Sequence, residues 1–166
     1  MTDNSLEIER KFLVTGSPPE LGEHPSSTLE QGYLAIHGDG TEVRIRRARG
    51  ASVLTIKSAG GLVRIEEELP IDNATFERLW PLTEGRRIEK VRHLVPCGRS
   101  GDLLIEVDVY DGDLAGLVMA EVEFASEEDA RAFAPPPWFG ADVTHDGRFK
   151  NQRLAVEGRP DGDSAS

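Results

Sequence analysis

Carboxylate and cationic side chains recur two residues apart along this chain, and that spacing decides what they can do together. Glu7, Glu9 and Lys11 stand in EIERKFLV, Arg44 and Arg46 in VRIR, Thr55 and Lys57 in TIKS, and Arg64, Glu66 and Glu68 in RIEEEL. Lys90 and Arg92 follow in EKVR, Glu106 and Asp108 in IEVDVY, and Glu121 and Glu123 in EVEF. Residues two apart on a strand point the same way, so each segment shows charge on one face and apolar residues such as Ile8, Ile45 and Val107 on the other. Arginine as a planar fork and lysine as a point charge bind phosphoryl oxygens. Carboxylates in the same space would repel such a ligand unless a divalent cation stood between them. Mg²⁺ does this by taking carboxylates, waters and phosphate oxygens together. Glu7 with Glu9 and Glu121 with Glu123 would supply such a site from two strands.

The elements that must position these groups are strands. Period-two alternation predicts eight of them, near 6–14, 29–37, 41–48, 52–58, 62–69, 86–95, 102–110 and 118–124. Turn residues separate them at Gly38 to Gly40, Gly50, Gly60 and Gly61, Gly98 to Gly101, and Asp111 to Asp113, which favours a meander. Helices are expected near 72–80, with Asp72 as N-cap, and near 126–133, with Ser126 as N-cap, both packed outside the sheet. A short third helix is expected near 149–157. Pro135 to Gly140 (PPPWFG) reads as a rigid loop that packs Trp138 on the core or shapes one tunnel mouth with it. One domain, 1–158, is expected, with 159–166 a disordered tail.

Two architectures accommodate the charged face: a solvated outer face, or a sheet closed with its charges inward. The face carries both signs in near balance, although the chain has 30 acidic and 19 basic residues and a net charge of −11. A water-facing surface has no reason to gather so much of the basic charge on strands, so a closed eight-stranded antiparallel β-barrel with outer helices is expected, mainly β in class. The negative charge argues against nucleic acid or a membrane surface as partner. Cys97 is the only cysteine and excludes an intramolecular disulfide, which fits a cytoplasmic location. His24, His37, His93 and His145 have no ligand-like spacing and are read as surface residues.

The opening EIERKFLV resembles the ExExK signature of the CYTH superfamily, the triphosphate tunnel metalloenzymes. The likeness continues through QGYL at 31–34, VRIR, TIKS, EGRRIEKVR at 84–92, IEVDVY, EVEF, PPPWFG and RFKN at 148–151. It implies an eight-stranded tunnel acting on triphosphates with Mg²⁺ or Mn²⁺. By position, Glu7, Glu9, Glu121 and Glu123 match the family's metal-binding acids, with Asp108 a further candidate. Lys11, Arg44, Arg46, Lys57, Lys90 and Arg92 match its phosphate-binding bases, and Arg64 and Lys150 extend that set. The length and the PPPWFG block look most like a compact bacterial branch similar to inorganic triphosphatases, in which a lysine pair matching Lys11 and Lys90 and a tyrosine matching Tyr33 are associated with activating the nucleophile.

The expected activity is hydrolysis of inorganic triphosphate to pyrophosphate and phosphate, by a monomer or homodimer. The alternatives are an adenylate cyclase or a thiamine or nucleoside triphosphatase on the same fold, or a non-catalytic polyphosphate-binding module. The first two need contacts for an organic group, which the ionic strands do not offer. The last could dispense with the acids.

Overall fold

The computed structural model describes residues 8–58, 66–97 and 103–160. Alternating residues build β1 (Ile8–Val14), β2 (Ser26–Ile36), β3 (Glu42–Ala48), β4 (Ala51–Lys57), β5 (Glu66–Ile71), β6 (Arg87–Cys97), β7 (Leu103–Tyr110), β8 (Val118–Phe124) and β9 (Phe139–Asp142). They form one antiparallel sheet in the order β5-β4-β3-β2-β6-β7-β8-β1-β9. Two meanders, β2 to β5 and β6 to β8, are joined by the β2–β6 ladder, while β1 crosses to lie beside β8.

Two expectations are corrected here. Among the described residues the sheet has nine strands rather than eight and is not closed, with β5 and β9 at its edges. The extra strand supplies the reason. Residues after the three prolines pair with β1 at Phe12 and Val14, on the edge that β1 would otherwise offer for closure. At the far edge β5 carries Pro70, which has no N–H to add to a further ladder. The expected fifth strand began at 62, and its first residues lie outside the described ones.

The β3–β4 hairpin turns on Arg49 (φ 52°) and Gly50 (φ 77°), with Ala48 opposite Ala51. Positive φ at both central residues is the two-residue turn whose twist matches that of the flanking strands.

Three helices follow from local signals: α1 (Asn73–Leu79), α2 (Glu127–Ala132) and α3 (Asn151–Glu157). Asp72 caps α1 by accepting from the Thr75 N–H, and Ser126 caps α2 by accepting from the Asp129 N–H, as expected. On one side of the sheet, α2 and the segment from Phe133 to Phe139 cover a cluster that includes Val107, Ala120, Val122 and Phe124. Trp138 packs at its margin, with its ring centroid 4.5 Å from that of Phe139. Arg10 locks this layer to β1, donating to Asp142 Oδ2 and to the carbonyl oxygens of Ala130 and Phe133, with its guanidinium 4.8 Å from the Phe12 ring. The other cluster lies on the opposite side. Leu13, Ile88, Tyr110 and Met119 project from four strands against Val143, Phe149 and Leu154, so α3 sits on that face and not outside the sheet.

The turn Trp80–Thr83 packs directly on β2. A Cβ built on Gly32 would lie 2.5 Å from Thr83 Oγ1 and 2.6 Å from its Cβ, so only glycine fits. Gly32→Ala is therefore expected to lower stability by about 2 kcal/mol, or roughly 4–8 °C in melting temperature. An unchanged thermal melt would show that the turn can leave β2 without loss.

Candidate active site

Register places the charged residues on one face. Glu9 lies opposite Glu123 and Lys11 opposite Glu121 across β1–β8; Glu106 lies opposite Glu121 across β7–β8; and Arg92 lies opposite Asp108 across β6–β7. The β2–β6 ladder carries the same face onward, with Leu29 opposite Lys90. Gln31 and Tyr33, on the same side of β2, lie opposite Arg46 and Arg44 of β3. Thr55 and Lys57 of β4 lie opposite Glu68 and Glu66 of β5. The face is an inner one. Gln31, Tyr33, Thr55, Lys90, Asp108 and Glu121 are buried on it, and α3 with its apolar cluster closes one end.

Two ionic groups fill the rest. In the first, Asp108 is wholly buried between two cations: Lys90 Nζ is 2.5 Å from its Oδ2, Arg92 Nε 2.7 Å from its Oδ1, and Arg92 Nη2 2.7 Å from Oδ2. Arg92 also binds Glu106, and reaches Glu121 on β8 at 2.7 Å. Lys11 Nζ lies 3.0 Å from Glu121 and 3.5 Å from Glu9. In the second group, Arg44 pairs with Glu42 at 3.3 Å and Glu66 at 3.8 Å, Arg46 with Glu68 at 3.7 Å, and Lys57 with Glu66 at 3.1 Å. Every cation expected to meet phosphate on a described strand is thus held by a carboxylate. Arg44 Nε is the exception at atomic level, since it is buried and makes no hydrogen bond.

The electrostatics follow from this crowding. Burial works to raise the Glu121 carboxyl, but Lys90, Lys11 and Arg92 outweigh it and hold the group at about 2. Burial likewise opposes charge on Lys11, yet Glu121 and Glu9 prevail and raise its ammonium above the ordinary value. Glu106 is raised by burial, with Arg92 opposing and Glu121 adding to the rise. Burial and Glu42 push the Tyr33 phenol to about 12 against Arg44 and Gln31.

Of the residues singled out from sequence, Glu9, Lys11, Tyr33, Arg44, Arg46, Lys57, Lys90, Arg92, Asp108, Glu121 and Glu123 share this face. Glu7 and Arg64 lie outside the described residues. Lys150 is exposed at the N-terminal boundary of α3. Glu123 is on the face but exposed, because it lies two residues nearer the open end than Glu121. Gln31 and Glu42 had no place among the sequence candidates for the site, while Glu66, Glu68 and Glu106 were read on the charged face without a role in it. Glu106 stood in the same alternating pattern as Asp108, and Glu42 precedes Arg44 at the same two-residue spacing, so both were within reach of it. Gln31 is neutral and carries no such signal.

The donor set is wholly carboxylate, and two pairs of like charge, Glu9 with Glu123 and Glu106 with Glu121, stand directly opposite each other on neighbouring strands. Such pairs repel. Among the described residues no three carboxylates converge as a ready metal cage. No helix among the described residues is long and apolar enough to cross a membrane.

Residues 5–139 match the family model of the CYTH domain. The chain is 50% identical over 152 residues to an inorganic triphosphatase of Nitrosomonas europaea, covering 90% of this chain and 97% of that protein. It is 34% identical over 151 residues to an inorganic triphosphatase of Acetivibrio thermocellus, covering 89% and 92%. A crystal structure of an inorganic triphosphatase superposes with a TM-score of 0.77 at 47% identity, covering 91% of this chain and 95% of that one.

Proposed function

The chain belongs to the CYTH domain family, and on that premise we propose that it hydrolyses inorganic triphosphate to pyrophosphate and phosphate on the inner face of the sheet. The observation that carries the reading is the single register that puts Lys11, Arg44, Arg46, Lys57, Lys90 and Arg92 on one face with the acids between them. The relatives named as inorganic triphosphatases, which align along nearly their whole length, support the same reading.

The reaction is in-line attack of water on a terminal phosphorus. Arginine forks and lysine ammonium groups hold the phosphates and neutralise charge that moves to the leaving oxygen. Lys11 is raised above its ordinary value by Glu121 and Glu9 against the effect of burial, which supports a role in clamping phosphate as a charge. Tyr33, with its phenol at about 12, keeps its proton near neutral pH and acts as a hydrogen-bond donor. Glu9, Glu121 and Glu123, with Glu7, would hold Mg²⁺ or Mn²⁺. The all-oxygen donor set suits such hard cations, and the facing like-charged pairs favour one. A bound divalent cation supplies charge for the phosphate oxygens and for the attacking water. With Glu121 holding such a cation, Lys11 and Arg92 would each have one carboxylate partner fewer and could turn that charge to substrate. The lone Cys97 is consistent with work in a reducing cytoplasm.

The test is phosphate release from triphosphate, pyrophosphate, ATP, thiamine triphosphate and long-chain polyphosphate, each with Mg²⁺, with Mn²⁺ and with excess chelator. Triphosphate is expected to be turned over far better than the others, and only with metal. Cyclic AMP from ATP, or a comparable kcat/KM for ATP, would move the assignment to a nucleotide enzyme. Undiminished turnover in chelator would remove the metal.

A further inference from the structure

Gln31 is a buried polar side chain in the middle of the inner face that the reaction described so far does not use. It is 3% exposed, and its Nε2 donates to the Tyr33 hydroxyl at 2.9 Å. Arg44 stands opposite Tyr33 on the neighbouring strand, and its positive charge favours a nearby oxygen lone pair over a proton. A tyrosine oxygen has one proton to give and two lone pairs with which to accept. With the Gln31 N–H directed at that oxygen and the Arg44 guanidinium on the facing strand, its proton must point elsewhere. The nearby Glu42 carboxylate is engaged by Arg44 at 3.3 Å, and among the described residues the Tyr33 hydroxyl donates no hydrogen bond. Tyr33 itself is 1% exposed and held by β2 and β3, so the direction is fixed by its neighbours rather than by solvent.

We propose that Gln31 is a positioning residue: by occupying the Tyr33 oxygen as a donor, it turns the Tyr33 O–H outward as a hydrogen-bond donor to a phosphoryl oxygen of the bound triphosphate. This rests on the reading of the inner face as the triphosphate site. Two features of the structure agree with it. Burial and Glu42 keep Tyr33 in the phenol form, so the proton is there to be given. The buried Arg44 Nε beside it has no partner, so a second donor waits for the same kind of acceptor. Glutamine suits the task where glutamate would not. A carboxylate at that position would accept the phenolic proton and point it away from the substrate.

A double-mutant cycle tests this, with wild type, Gln31→Met, Tyr33→Phe and the double variant compared in kcat/KM for triphosphate and in melting temperature. Methionine keeps the volume of glutamine and removes its donor. Gln31→Met and Tyr33→Phe are each expected to lower kcat/KM by about tenfold, the scale of one hydrogen bond to a charged acceptor, and the double variant no further. Equal losses from Gln31→Met in the wild-type and Tyr33→Phe backgrounds, as a merely structural residue would give, overturn the proposal. So does an unchanged kcat/KM in either single variant. If Gln31→Met does not fold, Gln31→Glu replaces it. In the wild-type background it should fall below Tyr33→Phe, and its further loss should shrink once Tyr33→Phe has removed the proton; a loss of the same size in both backgrounds again overturns the proposal. If the wild type releases no phosphate from triphosphate, the functional reading has failed. The Gln31–Tyr33 coupling is then read from calorimetric binding of inorganic triphosphate to the same four proteins, where additive losses, or no binding by any of them, overturn it.

Discussion

Asp108→Asn is expected to cost the fold about 3–5 kcal/mol and to lower kcat/KM for triphosphate by at least about 100-fold. Asp108 is wholly buried, and its two oxygens hold Lys90 and Arg92. Asparagine keeps the shape but removes the charge, leaving an ammonium and a guanidinium packed together without their counter-ion. Neither would stay in the position from which it can meet phosphate. Urea unfolding in excess chelator reads the first effect and steady-state kinetics the second. A different outcome would reassign the residue. Unchanged stability in chelator, together with a raised Mg²⁺ requirement, would show that Asp108 serves the metal and not the two cations.

Glu121→Gln carries the other large effect, because Glu121 links both sides of the first ionic group. Lys11 lies 3.0 Å away on one side and Arg92 2.7 Å on the other, while Glu106 lies opposite. If Glu121 is also a metal ligand, as proposed, its loss should lower turnover by at least about 100-fold, beyond the usual effect of disturbing a ligand's support. The same variant carries a signature in acid. The folded carboxyl sits at about 2, below its ordinary 4.5, so the stability it contributes is complete above about pH 4.5 and is lost as the pH falls toward 2. In chelated protein, Glu121→Gln should therefore start less stable and decline less steeply across that window. Parallel curves for wild type and variant would show that Glu121 does not supply the acid sensitivity.

Much of the inner face was legible because a two-residue period survives any uncertainty about where a strand begins or ends. β2 starts at Ser26 and β6 runs to Cys97, both beyond their expected limits, yet Tyr33, Lys90 and Arg92 kept their side. Three features were not legible, each for its own physical reason. β9 has four residues after a run of prolines, too few for alternation to register, so the open sheet could not be foreseen. The position of α3 depends on Leu13, Met119, Tyr110 and Ile88, which obey the alternation of the charged face but are apolar. Polarity changes along the face while the period does not, and a pattern that reads only the period misses the change. Gln31 has no charge to draw attention, and its role arises from what its amide meets in three dimensions.

The position of β1 beside β8 bears on how the site comes into being during synthesis. Glu9 and Lys11 leave the ribosome ahead of the rest of the sheet, but their partners Glu123 and Glu121 follow only after six further strands. The β2 to β5 meander can pair while the rest is still being made, whereas β1 must wait for β8, and Val14 waits longer still for Phe139. Pairings of such long sequence separation are slow to form. The acids that face one another across β1 and β8 therefore meet only near the end of folding, and a chain released early would carry the cations of β3 and β4 without the carboxylates of β8. Nascent chains halted before Val118 should accordingly hold β1 unpaired and open to proteases.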